Sequence, residues 1–503
     1  MRRESALVLF VCLLLAVPAI VSSVPSPVGW DDAYYLHRAA CITKAMFEPM
    51  QVSYRECLTE IVKAPLMAWL SWPWGPKAAT VSGIGLPFVS MAVVTFGIVL
   101  ALGDLMLRLA IPRLLILLAF ACLALNPILL DIAGNYEGDT IMALLVALLI
   151  MLVPQEALRP NPGAWKSVGR GLAWGAVIAT GVMAKTSFGF FAVLITPVLF
   201  YLRTIRSGAG AATLALLVCV AVCAPVIAYH LIYWNEIVGH VLVSTVGPLA
   251  KYTSYNLDSF AYLKALFARY GSVPMILAGI TAIVGWRLGS QRPAGLWAPL
   301  WPLLVLVGYL GLTAACENHD MRYGLPFLVG LPFALVALTA STTPARGVGP
   351  RGLPILGMIA ILLAVPITAR PNLHYVREAE AVLATLPTDR PFKLLVASDD
   401  SAINVDTFQL ARMLNLPRFR NLYIDTVVYD EAHGQSLEAI LARLEQADGV
   451  VLLKAPIRKS PDWTNVHAPR FRDHLQAVGA TRPDNTGSAL IELYLLNHAE
   501  KKG

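Results

Sequence analysis

Trp30-Asp31-Asp32-Ala33-Tyr34-Tyr35 follows the first long apolar run of the chain, Ala6 to Val24, across a short Ser/Pro hinge at Val21 to Pro27. Two adjacent carboxylates therefore stand where a membrane helix leaves the bilayer. Trp and Tyr favour the headgroup level, so the flanking rings fit that depth. Acids at a membrane surface are costly when half-buried without partners. Their presence points to a site for a charged, lipid-linked substrate on that face.

The rest of the sequence supports a membrane protein. Of 503 residues, 57% are hydrophobic and 14% charged, and the mean hydropathy is +0.63. Soluble domains carry about 25% charged residues. About eleven runs approach the roughly 20 residues that span a hydrocarbon core of about 30 Å: 6–24, 80–102, 112–130, 139–154, 168–184, 187–203, 211–234, 272–288, 297–315, 323–341 and 352–369. The first run, preceded by Arg2 and Arg3, reads as an uncleaved anchor, with a signal peptide as the competing reading.

Basic residues in short loops set the orientation. With a cytoplasmic N-terminus, the inner loops hold Arg108 and Arg113; Arg159, Lys166 and Arg170; Arg203 and Arg206; Arg287 and Arg292; Arg346 and Arg351. The short outer loops hold only Lys185 and Arg322. The net charge of +7 is then inner-face anchoring. No basic cluster with interleaved aromatics suggests nucleic acid as a partner.

On this topology the outer face receives the loop 25–79, the loop 235–271 and everything after residue 370. The first loop holds Cys41 and Cys57, which are either a disulfide or two free thiols. Lys63 is either a snorkelling anchor or a phosphate ligand. In 131–139 three acids crowd a short loop: Asp131, Glu137 and Asp139. Asp139 also suits a helix N-terminus. Lys185, between two apolar runs, needs the membrane boundary or a polar cavity. Glu317, His319 and Arg322 form a second polar cluster, in which Arg322 pairs with Glu317 or Asp320, or binds an anion. His230 and His240 read as satisfied polar residues.

After 370 the pattern alternates. Strands are predicted at 392–397, 421–429, 449–453 and 489–496, and helices at 405–414, 437–446 and 470–478. This predicts a small α/β domain with a largely parallel sheet. Asp399-Asp400, at a strand end, is explained by turn chemistry.

Acids from two segments (Asp31 with Asp32, and Asp139) and cations from three (Lys63, Lys185 and Arg322) suit group transfer from a lipid phosphate. Cations stabilise the leaving phosphate, and a carboxylate takes the proton of the attacking hydroxyl. Trp30 to Tyr35 resembles the acidic motif after the first membrane helix of the GT-C glycosyltransferases, in particular the protein O-mannosyltransferases and the lipid A aminoarabinose transferases. Lys63-Ala64-Pro65-Leu66 is similar to their Lys/His-Pro-Pro motif. Asn126-Pro127 leading to Asp139 resembles their acid-opened helix, Gly181 to Lys185 their Gly-x-x-x-Lys, and Arg322-Tyr323-x-x-Pro326 their Arg-Tyr-x-x-Pro. The motifs keep their order over residues 1–340.

The resemblance implies an all-α polytopic domain over 1–370 and an extracytoplasmic α/β domain over 371–503, in the bacterial inner membrane. It implies an inverting transfer from a polyprenyl-phosphate sugar to an extracytoplasmic glycan, lipid or protein acceptor. Asp31 is then the catalytic acid/base, with Asp32 and Asp139 as supporting acids. Lys63, Lys185 and Arg322 hold the donor phosphate, and Tyr35, Glu137, Glu317 and His319 support them. Asp32 replaces the commoner Glu and is the one candidate ligand for a divalent metal. Val62 and Ala64 stand beside the lysine, where the aminoarabinose transferases carry a metal-binding acid. The competing function is a transporter or flippase of lipid-linked sugars. Such proteins place charges at the midplane on broken helices, often with inverted repeats, and this chain shows no repeat.

Overall fold

The structure is a computed structural model. It describes residues 3–21, 30–49, 65–132, 138–158, 163–245, 257–289, 297–340, 352–364, 372–400, 402–428, 435–457, 462–484 and 486–496, with the single residues 52, 57, 136 and 430. Lys63, Ala64 and Glu137 lie outside the described residues, as does the side chain of Asp31.

Each predicted apolar run carries a helix. In chain order they are α1 (Arg3–Val21), α2 (Trp30–Phe47), α3 (Leu86–Arg108), α4 (Arg113–Ala124), α5 (Pro127–Ile132), α6 (Asp139–Leu158), α7 (Ala164–Ala184), α8 (Phe188–Ser207), α9 (Ala209–Ile232), α10 (Trp234–Thr245), α11 (Ser259–Tyr270), α12 (Ser272–Gly289), α13 (Trp297–Ala315), α14 (Leu325–Ala337) and α15 (Gly352–Ala364). Among the described residues, four helices (α3, α6, α8 and α9) are individually long and apolar enough to cross a bilayer, or five if α11 and α12, bent by 88°, form one span. The chain is thus a multi-pass membrane protein. The predicted span 112–130 is broken at Asn126-Pro127: Pro127 has no N–H to continue α4, and the Asn126 side chain instead accepts from the Ile128 and Leu129 amides.

The core is built around α6, which is apolar all round and buried over nearly its whole length. Helices α3, α7, α8 and α14 enclose it. Helices α7 and α9 lie in close contact because Gly171 and Gly175 let the backbones approach. A Cβ on Gly171 would stand 2.4 Å from the Ala215 carbonyl oxygen, and one on Gly175 would stand 2.7 Å from Val222 Cβ. Such small-xxx-small pairing suits helices in lipid, where dispersion and not hydrophobic transfer joins them.

The C-terminal part contains α16 (His374–Leu383), β1 (Phe392–Val396), α17 (Val405–Leu414), β2 (Leu422–Thr426), α18 (Leu437–Glu445), β3 (Gly449–Leu453), α19 (Asp462–Ala477) and β4 (Ile491–Leu495). The sheet order is β2-β1-β3-β4, with parallel β1–β2 and β1–β3 pairs and an antiparallel β3–β4 pair. The last helix begins at Asp462, eight residues before its predicted start, because Pro469 does not terminate it. Asp400 accepts from the Ala402 amide two residues on, as the turn reading expects, and also from the Ile457 amide 57 residues away, which ties this turn to the segment after β3.

Helix α17 packs on α2, so the sheet-bearing part rests on the helix that carries Asp31 and Asp32. Ala40, Cys41, Ile42 and Ala45 of α2 share one apolar cluster with Met413 and Leu416. Cys41 and Cys57 form a disulfide with Cα atoms 5.6 Å apart, which decides between the two readings of the pair.

Candidate active site

Asp31 and Asp32 lie in the first turn of α2, where carboxylates complement the positive end of the helix dipole. Asp32 is 8% exposed, and its Oδ1 accepts the Tyr136 backbone N–H at 2.5 Å. Tyr136 is fixed in turn: its hydroxyl donates to the Met67 carbonyl, and its ring packs against Phe88 at 4.9 Å between centroids. A carboxylate of α2 thus holds the backbone of Tyr136, close in sequence to Asp139. Asp139 is three positions after Tyr136, so their Cα atoms are at most about 11 Å apart.

Asp139 opens α6 and pairs with Lys185 Nζ. Their side chains are 7% and 23% exposed. Two glycines allow this meeting. A Cβ on Gly138 would lie 2.1 Å from the Ala184 carbonyl oxygen, so the two loops approach backbone to backbone. Gly181, the glycine of the Gly-x-x-x-Lys pattern, faces the Phe188 ring with no room for a Cβ. Burial acts to strip the Lys185 proton, but the Asp139 carboxylate and, after it, Tyr323 together outweigh this and hold the pKa above the usual lysine value.

Lys185 Nζ also stands 4.8 Å from the centroid of the Tyr323 ring. Arg322 lies 6.0 Å from the same ring and bonds Asp320 Oδ2 at 2.8 Å. Asp320 also caps the turn by accepting the Arg322 amide at 3.0 Å. The Arg322 partner is therefore Asp320, whereas Glu317 is exposed and its amide donates to the Thr245 carbonyl. His319 is buried, with its ring stacked on Tyr262 at 4.9 Å and its Nε2 3.3 Å from the Ala314 carbonyl oxygen. Tyr35 is buried and meets Tyr34 edge to face at 5.3 Å.

The geometry brings Asp139, Lys185, Tyr323, Arg322 and Asp320 into one continuous chain of contacts, and Asp32 holds the Tyr136 backbone three positions before Asp139. Asp131 stands apart, in an exposed pair with Arg269. Sequence reasoning missed Tyr136, whose role lies in its backbone amide and so leaves no side-chain signal. Among the described residues no three His, Cys, Asp or Glu side chains gather as a metal site, so those residues do not compose a metal centre around Asp32.

No family model matches the chain, and no curated protein matches it. Solved structures do. The crystal structure of ArnT from Cupriavidus metallidurans bound to undecaprenyl phosphate superposes with a TM-score of 0.52 at 11% identity, over 97% of each chain. The chain has a GT-C-like fold. The apo state of the same ArnT matches with a TM-score of 0.51 at 12% identity, again over 97% of each chain. At this identity the likeness is one of fold. Because it covers nearly the full length of both chains, it takes in the sheet-bearing C-terminal part of the GT-C-like chain as well as its membrane helices.

Proposed function

We propose that the protein is a membrane glycosyltransferase that takes a sugar from a polyprenyl-phosphate donor and passes it to an acceptor hydroxyl outside the cytoplasm. The observation that carries this reading is the chain of contacts from Asp32 through Tyr136 to Asp139, Lys185, Tyr323 and Arg322, set in a fold shared with a protein crystallised with undecaprenyl phosphate. The Cys41–Cys57 disulfide supports an oxidising compartment for the same face.

In this reading Asp31 takes the proton of the acceptor hydroxyl as its oxygen attacks the anomeric carbon. The bond from that carbon to the phosphate oxygen breaks, and polyprenyl phosphate leaves from the opposite face, which inverts the configuration. Lys63, Lys185 and Arg322 offset the charge gathering on the leaving phosphate. Asp139 keeps Lys185 charged, and Asp32 holds the Tyr136 backbone in place. The cell-envelope acceptor is a glycan, a lipid or a protein.

The test uses the purified full chain in lipid nanodiscs with a radiolabelled polyprenyl-phosphate sugar and an envelope extract. Transfer of label by the native protein, with at least a hundredfold loss in Asp31→Asn and in Lys185→Met at intact folding, is expected. Undiminished transfer in both variants would exclude this site. In sealed proteoliposomes, movement of intact labelled donor across the bilayer without transfer would favour a flippase.

A further inference from the structure

At the other end of α6 the molecule carries a second polar constellation. Helix α6 has 20 residues, so its last turn lies about 30 Å from Asp139, at the opposite membrane face. There Glu156 is held between two arginines: Arg203 Nη1 at 3.0 Å and Arg170 Nε at 3.3 Å. Arg203, expected from the sequence to be a loop anchor, is instead completely buried and also donates to Ser167 Oγ at 2.8 Å. Asp104 is engaged by Arg108 at 2.6 Å.

An open cleft of about 600 Å³ adjoins this network, between α3, the end of α6 and the start of α7. Its rim carries Arg108, Lys166 and Arg170, and its floor is apolar, with Leu100 and Leu105 of α3. Among the described side chains that line the cleft, the cations Arg108, Lys166 and Arg170 outnumber the one carboxylate, Asp104, by two. Asp104 and Glu156 already have cationic partners, and among the described residues Lys166 has no carboxylate partner. The N-terminus of α7, whose cap Gly163 offers no side chain, adds the positive end of its dipole. Trp165 beside Lys166 is 87% exposed, which places the rim at headgroup depth.

We infer that this cleft binds the phosphate of an anionic phospholipid, with the headgroup held by Lys166, Arg108 and Arg170 and an acyl chain along the apolar floor of α3. Guanidinium and ammonium donors match phosphate oxygens, and the apolar floor distinguishes a lipid from a free anion. A Cβ added at Gly97 or at Gly169, both on the cleft lining, would touch nothing within 4 Å, so the wall is open at these two points.

Native mass spectrometry of the full chain in detergent would test this, with phosphatidic acid, phosphatidylcholine and inorganic phosphate as separate probes. The native protein is expected to retain one phosphatidic acid at least tenfold more tightly than phosphatidylcholine. The double variant Arg108→Gln/Lys166→Glu is expected to lose that preference. Gly169→Leu, which fills the cleft without changing charge and favours the helix, is expected to weaken lipid binding at least tenfold while the thermal midpoint holds. Equal retention of the two lipids, or native-like binding by both variants, would overturn the site. Inorganic phosphate bound as tightly as phosphatidic acid would overturn the lipid assignment. None of these variants touches the Asp32–Asp139 cluster, so the outcome is independent of the transferase reading.

Discussion

Replacing Lys185 by Met leaves the Asp139 carboxylate, 7% exposed, without its partner. Breaking a buried ion pair from one side costs about 3–5 kcal/mol, because the remaining charge stays desolvated. The converse change, Asp139→Asn, strands an ammonium whose side chain is 23% exposed and which stands over the Tyr323 ring. Lysine can lean toward water and keep its ring contact, so this variant is expected to lose less, about 2–3 kcal/mol. The double variant removes both charges and is expected to cost no more than the larger single change. The coupling energy is then at least about 2 kcal/mol, within the range for residues in contact. Denaturant unfolding of the four proteins in detergent micelles measures it. Stability losses that simply add would refute the claim that the pair is energetically coupled. Transfer activity adds an independent readout. If Lys185 binds donor phosphate, the double variant recovers stability but not transfer, whereas a purely structural pair would let both return together.

Three further changes test the surroundings. Gly138→Ala drives a Cβ to 2.1 Å from the Ala184 carbonyl oxygen; backbone must move, at about 1–3 kcal/mol, and a lowered thermal midpoint together with reduced transfer is expected. His37 is buried between α2 and α17, where desolvation, then Arg38 and Arg412, hold its pKa well below 6.5. Above pH 6.5 the imidazole is neutral folded or unfolded, but below it only the unfolded chain takes the proton, so stability falls by about 1.4 kcal/mol per pH unit; His37→Gln should flatten that slope in unfolding scans from pH 7.5 to 5. Reducing the Cys41–Cys57 bond, which spans 16 positions, should remove about 3 kcal/mol by loop entropy, seen as a reductant-dependent drop in thermal midpoint that Cys41→Ser/Cys57→Ser abolishes.

The membrane class and the run positions were legible in the sequence because hydrocarbon rewards long local stretches of apolar residues. The strand–helix alternation after 370 was legible for a similar reason, since period and turn residues are local. Asp32, Asp139, Lys185 and Arg322 stood out because a charge beside an apolar run is conspicuous. Their pairings did not. Tyr136 lies 104 residues from Asp32, and Asp139 lies 46 from Lys185. Helix α6 is apolar on every side, so no periodicity says which neighbour takes which face. Arg203 looked like a surface anchor because its loop charge fits the orientation rule; only the packing of α6, α7 and α8 shows it inside, on Glu156. Composition and local pattern therefore determined that this is a multi-pass membrane protein with charges at the helix ends. The tertiary structure alone decided which charges meet, because backbone approach at Gly138 and the docking of α17 on α2 depend on contacts between segments that the sequence leaves far apart.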